Sequence, residues 1–171
     1  MLIRPAAGPA EIRAAGEVVQ AAYAEFAATD LGRLANWPAY VRQQADTATR
    51  AREGLLLVAV DDPDAVIGTV TLYLTPARGS EHWDDGDAML RFLAVPPAAR
   101  GLGVGRALLE ACIAHARAAG RARLALHSAS PMVTAIGLYL REGFTRDPAG
   151  DWHDGDLAVL GYALDLRGGR R

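Results

Sequence analysis

A glycine-rich loop, Arg100-Gly-Leu-Gly-Val-Gly105, stands between an apolar run at 88–95 and a strongly helical stretch at 105–119. It constrains the fold more than any other stretch. Three glycines in five residues let the backbone turn tightly and present its N–H groups to an anion. The helix that follows adds its free N-terminal donors and the positive end of its dipole. For a loop placed between a strand and a helix in this way, a diphosphate is the natural guest; the alternative is a tight turn that binds nothing.

The remaining patterns fit one domain over residues 1–171, with 166–171 as a frayed tail. Leu2 to Arg4 reads as a short strand. Ile12, Ala15, Val19, Ala22, Tyr23 and Phe26 form a helical stripe running from Pro9 to Ala28. A second helix is expected from Asn36, a good N-cap, to Glu53, stopped by Gly54. The runs Leu55 to Val60 and Val66 to Leu74 read as strands joined by a hairpin turn at Asp61 to Asp64. Ala88 to Val95 is a buried strand ended by Pro96-Pro97, and Gly105 to Ala119 is a helix closed by Gly120. Strand at Leu124 to His127, helix at Pro131 to Glu142, strand at Gly143 to Arg146 and strand at Leu157 to Leu166 complete the order.

The loop's competitors fit poorly. A Walker loop ends in Gly-Lys-Ser/Thr, whereas this helix opens with Gly105-Arg106-Ala107. A dinucleotide fingerprint needs a further glycine or alanine where this chain has Leu108, and a ribose-binding acid downstream. No acid occurs between Glu110 and Glu142; that stretch carries Arg117, Arg121, Arg123 and Arg141 instead. A ligand with extra phosphates suits it better.

The stretch from Leu93 to Leu109 resembles the acetyl-CoA signature of GNAT acetyltransferases, Arg/Gln-x-x-Gly-x-Gly/Ala, matched by Arg100, Gly103 and Gly105. Downstream, Ala135-Ile-Gly-Leu-Tyr139 followed by Gly143-Phe144 is similar to the family's second signature, an Ala-x-x-x-Tyr helix ending in Gly-Phe. One departure is Met132, where many members carry asparagine; Ser128 or Ser130 could replace that polar contact. The resemblance implies an α/β (α+β) GNAT fold. Its mixed, mostly antiparallel sheet would have about seven strands, with parallel strands 4 and 5 splayed apart and about four flanking helices.

The same resemblance implies acetyl-CoA as co-substrate, lying between the splayed strands. Its pantetheine arm would pair with Leu93, Ala94 and Val95 like an added strand. Its pyrophosphate would sit on Arg100, Gly101, Leu102, Gly103, Val104, Gly105 and Arg106, with Ser128, Ala135 and Tyr139 completing the contacts. Aminolysis of a thioester needs a deprotonated amine, a stabilised oxyanion and a protonated leaving thiolate. A backbone N–H near Val95 is the implied oxyanion donor, and Tyr139 the implied acid. Tyr139 also reads as a packed core aromatic, flanked by Ile136 and Leu140. For the base, Asp87 is the first candidate, with Asp85, His82 and His127 as rivals. His115 reads as structural, within a stripe of Val104, Leu108 and Ala111.

Glu81 to Asp87 and Asp147 to Asp156 each hold four acids, one tryptophan and one histidine. On the acceptor side they would attract a cationic amine, with Trp83 and Trp152 giving cation–π contact; as plain solvated loops they would do nothing. No spacing there is diagnostic of a metal site. Tyr23, Trp37 and Tyr40 are candidate acceptor walls, since the family builds them from the first two helices. The expected reaction is acetylation of a primary amine on a small molecule. An acyl-CoA sensor without catalysis, or a protein N-terminal or side-chain acetyltransferase, remains open. A homodimer is a further possibility.

Composition sets the surroundings. Hydrophobic residues make up 51% and charged residues 22%, with a formal net charge of −2, so no nucleic acid or anionic membrane is drawn in. The single cysteine, Cys112, has no internal partner for a disulfide. With no apolar leader or membrane-length run either, a cytoplasmic protein is expected. All 18 basic side chains are arginine, so the chain offers no lysine to acetylate.

Overall fold

The computed structural model describes residues 1–34, 37–61, 65–75 and 86–168. In chain order the elements are β1 (Leu2–Pro5), α1 (Gly8–Tyr23), α2 (Trp37–Ala45), α3 (Thr47–Glu53), β2 (Leu55–Asp61), β3 (Ala65–Tyr73) and β4 (Ala88–Ala94). They continue as α4 (Val104–Ala118), β5 (Arg123–Ala129), α5 (Val133–Arg141), β6 (Thr145–Arg146), β7 (Trp152–Asp154) and β8 (Leu157–Asp165). The strands form one mixed eight-stranded sheet in the order β1-β2-β3-β4-β5-β8-β6, with β7 paired to β8. β4 and β5 run parallel, registered from Ala88 opposite Leu124 to Leu90 opposite Leu126, while β4 continues to Ala94 and β5 to Ala129.

By its internal packing the chain divides into two compact units. The first is Met1–Thr71 with Phe92–Ala111; the second is Leu72–Arg91 with Cys112–Arg171. In the first, α1 and α3 cover β2 through Ala15, Leu56, Val58 and Val60, with Ile12, Ala51 and Val66 packed alongside. In the second, β5 and β8 form an antiparallel ladder from Arg123 opposite Asp165 to Ala129 opposite Val159.

The described residues hold eight strands and five α-helices, one of each more than the sequence patterns predict. The extra helix arises because the second helical stretch breaks at Asp46. The Asp46 carboxylate accepts from the Thr49 N–H and so starts α3 anew, as an N-cap does. The extra strand is β7, which forms a hairpin with β8 through Gly155 at φ +58°, a left-handed turn position. The first helix also ends early, at Tyr23, and passes into a 3₁₀ turn over Ala24–Ala28. The N-cap expected at Asn36, most of the turn at Asp61 to Asp64 and the end of the tail lie outside the described residues. No helix among the described residues is long and apolar enough to cross a membrane.

Candidate functional site

The glycine loop opens α4 as its sequence predicts. Gly101 and Gly103 take φ of +78° and +79°, a conformation that costs any residue with a Cβ about 1–2 kcal/mol. The Gly103 carbonyl accepts from Ala107 N at 3.0 Å, so Gly103 caps the helix. The amides just beyond it are among those a helix start leaves without an intrahelical partner. Gly101, Leu102, Gly103 and Arg106 are exposed, and a Cβ at either glycine would meet nothing within 4 Å. The cradle is therefore open and lined by backbone donors, which suits a diphosphate.

Packing from behind holds the loop. Val104, Leu108, Leu109 and Cys112 are buried along α4. The helix start sits against β3 at Gly68, where a Cβ would lie 2.6 Å from Val104 Cγ1 and 3.0 Å from Leu108 Cδ1. Only glycine permits that approach. Burial also pushes the Cys112 thiol well above its ordinary range, which leaves it inert as a nucleophile. His115 lies outside this stripe: it is exposed, so its reading as a structural residue among Val104, Leu108 and Ala111 is corrected.

The Arg100 side chain is engaged by protein groups. Its guanidinium donates to Glu25 Oε1 at 2.6 Å and Oε2 at 2.9 Å, and to the Ala22 carbonyl at 3.4 Å. Its Nε donates to the Val95 carbonyl at 3.2 Å. The hydrogen bond from Arg100 holds the Glu25 carboxyl below the usual carboxylate range, and Glu25 in turn raises Arg100. Arg100 thus ties the end of β4 and the loop to the 3₁₀ turn after α1, all within the first unit.

Three candidate acceptor-wall residues meet there too. Tyr23 and Trp37 are buried, and Tyr40 is partly exposed. Ring centroids lie 6.4 Å apart for Tyr23 and Trp37, and 5.9 Å apart for Trp37 and Tyr40, with Phe26 joining at 5.8 Å from Tyr23. On β4, Phe92 adopts φ +59°, unusual for a bulky side chain and the mark of a bulge. The side-chain alternation along β4 breaks there. Leu93 and Val95 are half-buried and Ala94 is buried.

The second unit holds the candidate acid and bases. Tyr139 is buried on α5, with its ring 6.0 Å from Phe144 and Ala135 one turn earlier. Ser128 is buried on β5. Asp87 is 5% exposed, and both its oxygens accept from Arg123, at 2.7 Å from Nη2 and 3.0 and 3.2 Å from Nε. Arg123 also donates to Asp147 at 3.2 Å. Both Asp87 carboxylate oxygens are thus engaged by one guanidinium. His127, a rival base, lies opposite Gly161 on β8 and beneath the turn at Gly150. His82, Asp85 and Trp83 lie outside the described residues.

The second acidic loop carries less attractive charge than its composition suggests. Asp147 is paired with Arg123, and Asp151 with Arg146 at 2.7 Å. The hydrogen bond from Arg146 holds Asp151 below its ordinary value. Trp152 is partly exposed on β7. Sequence reasoning missed Gly68, Glu25 and the buried polar groups on α2 and α3; a lone glycine in a strand run is the one signal it could have used.

Comparison with known proteins bears on this geometry. The family model described as "Acetyltransferase (GNAT) family" matches residues 19–144. A mycothiol acetyltransferase from Geodermatophilus obscurus is 43% identical over 54 residues; the match covers 32% of this chain and 18% of that protein's length. An acetyltransferase of the GNAT family from Staphylococcus aureus Mu50 superposes with a TM-score of 0.70 at 15% identity, covering 96% of this chain and 98% of that one. An aminoglycoside 6'-N-acetyltransferase complexed with coenzyme A gives a TM-score of 0.67 at 13% identity, with 100% of both chains covered. At such identities the structural likenesses speak for the fold.

Proposed function

Because the chain belongs to the acetyltransferase (GNAT) family, we propose that it transfers an acetyl group from acetyl-CoA to a primary amine of a small molecule. The observation that carries this reading is the open cradle of Gly101 to Arg106 at the start of α4, with two left-handed glycines and no protein atom within 4 Å of a Cβ built at either. Acetyl-CoA supplies the activated acyl group, and the protein's part is to bind, orient and move protons. The amides of Gly101 to Arg106 would hold the diphosphate. Leu93, Ala94 and Val95 would pair with the pantetheine arm, with Ser128 and Ala135 beside it. The Val95 N–H would meet the developing negative charge. Tyr139 would give its phenolic proton to the departing thiolate, and the aromatic walls of Tyr23, Trp37 and Tyr40 would exclude water around the amine.

The incoming amine's proton leaves to Asp87 only if Arg123 lets go of that carboxylate; His127 is the alternative acceptor. The clamp on Asp87 also favours a second reading, a domain that binds acyl-CoA without catalysis. Thiol release from acetyl-CoA in the presence of an amine panel separates the two. The enzyme reading predicts amine-dependent release that falls about 100-fold in Tyr139→Phe. Release absent with every amine, despite tight CoA binding, would leave the sensor. Trp83 and Trp152 would add cation–π contact to a charged acceptor, a role tested by the same panel.

A further inference from the structure

We infer that Gln44 and Arg50 form a recognition subsite for a carboxylate on the acceptor, so that the amine acetylated belongs to an amino-acid-like molecule. This inference rests on the acetyltransferase reading. Gln44 is fully buried, and neither its Nε2 nor its Oε1 has a hydrogen-bond partner among the described residues. A buried amide left so is costly, and a fold retains one where a guest, an ion or a water completes it. A buried cation bonds the backbone of the same residue. Arg50 is 3% exposed; its Nε donates to Thr71 Oγ1 at 2.8 Å, and its Nη1 donates to the Gln44 carbonyl. Its guanidinium carbon stands 4.8 Å from the centre of the Phe92 ring.

Placement ties this pair to the acceptor. Trp37, Tyr40 and Gln44 follow one another at helical spacings of three and four along α2, so the aromatic wall leads down one stripe to the amide. Phe92 immediately precedes Leu93 to Val95, the segment assigned to the cofactor arm. A molecule lying along the aromatic wall would keep its amine toward that strand and its carboxylate toward Gln44 and Arg50. A carboxylate accepts from both donor types, and the guanidinium supplies its counter-charge. Gln44 and Arg50 are closed off from solvent, so entry needs α2 to lift. A nine-residue helix has little stability of its own to oppose that movement.

The test is a ladder of ω-amino acids of increasing length, each beside its carboxamide, with thiol release from acetyl-CoA as readout. The free acid should exceed its carboxamide in kcat/KM by about 10- to 100-fold at the best-fitting length. That ratio should fall toward one in Gln44→Met and in Arg50→Met. Gln44→Met removes two unsatisfied polar atoms, so it should melt no lower than the parent, which keeps the test sound if Arg50→Met fails to fold. Equal rates for acid and carboxamide, with release still amine-dependent, would overturn the subsite and leave acetyl transfer standing. A ratio that survives Gln44→Met would also overturn it. Release absent with every amine would remove the acetyltransferase reading, and the subsite with it.

Discussion

Arg100 shows how a motif residue can carry a role other than the one its motif suggests. In sequence it flanks a phosphate loop and reads as a phosphate ligand; in the structure its guanidinium is engaged by Glu25, the Ala22 carbonyl and the Val95 carbonyl. Under the proposed function, these contacts would let it hold the loop in place for the cofactor. The pair is about 40% exposed at both ends, where such ion pairs contribute roughly 0.2–1 kcal/mol. Glu25→Gln should therefore weaken CoA affinity by no more than about fivefold. Calorimetric titration checks this, and a loss of a hundredfold would mean that Glu25 does far more than anchor the loop. Glu11 makes a similar tie, accepting from Arg4 at 2.6 and 2.7 Å and from the Ala7 amide. The Arg4 hydrogen bond, then that of Ala7, lowers its pKa from 4.5 to about 2. A carboxyl lowered on folding stabilises the fold above its unfolded pKa and loses that effect as pH falls toward its folded one. Melting temperatures compared between pH 5 and pH 2 should thus drop more steeply in the parent than in Glu11→Gln; parallel profiles would contradict the tie.

At the scale of elements, the seat of α4 on β3 decides where the loop points. Gly68→Ala would drive a methyl group to 2.6 Å from Val104 Cγ1, and overpacking of that kind costs about 1–3 kcal/mol. The variant should melt lower and bind CoA more weakly, because Val104 is the first residue of the helix that follows the cradle. An unchanged melting curve would contradict that close approach. In the sequence Gly68 shows only as a lone glycine in a strand run, since its φ is ordinary and the partner across the packing is what requires glycine. By contrast, Gly101 and Gly103 were legible because the need sits in their own backbone. The elements divide in the same way. α1, α4, α5 and the strands follow from periodicity, while the break at Asp46 needed the Thr49 bond and β7 needed its partner β8. The candidate base was the least legible, since Asp87 finds Arg123 across 36 residues of chain.

For the whole molecule, the order of elements and the family match agree on acetyl transfer, and the candidate residues divide between the two units. The first carries the cradle, the aromatic wall and the Gln44–Arg50 pair; the second carries Tyr139, Ser128 and the Asp87–Arg123–Asp147 cluster. The central claim is that left-handed backbone at the start of α4 binds a CoA diphosphate. Titrating CoA into the parent and into Gly103→Val tests it most directly. A Cβ there meets no protein atom, so the loss comes from the displaced backbone, at about 1–2 kcal/mol or about tenfold in affinity, with any clash of the side chain against the diphosphate adding to it. The parent should bind CoA measurably, and the variant should show at least that loss. No binding by the parent, or equal binding by both, would contradict it.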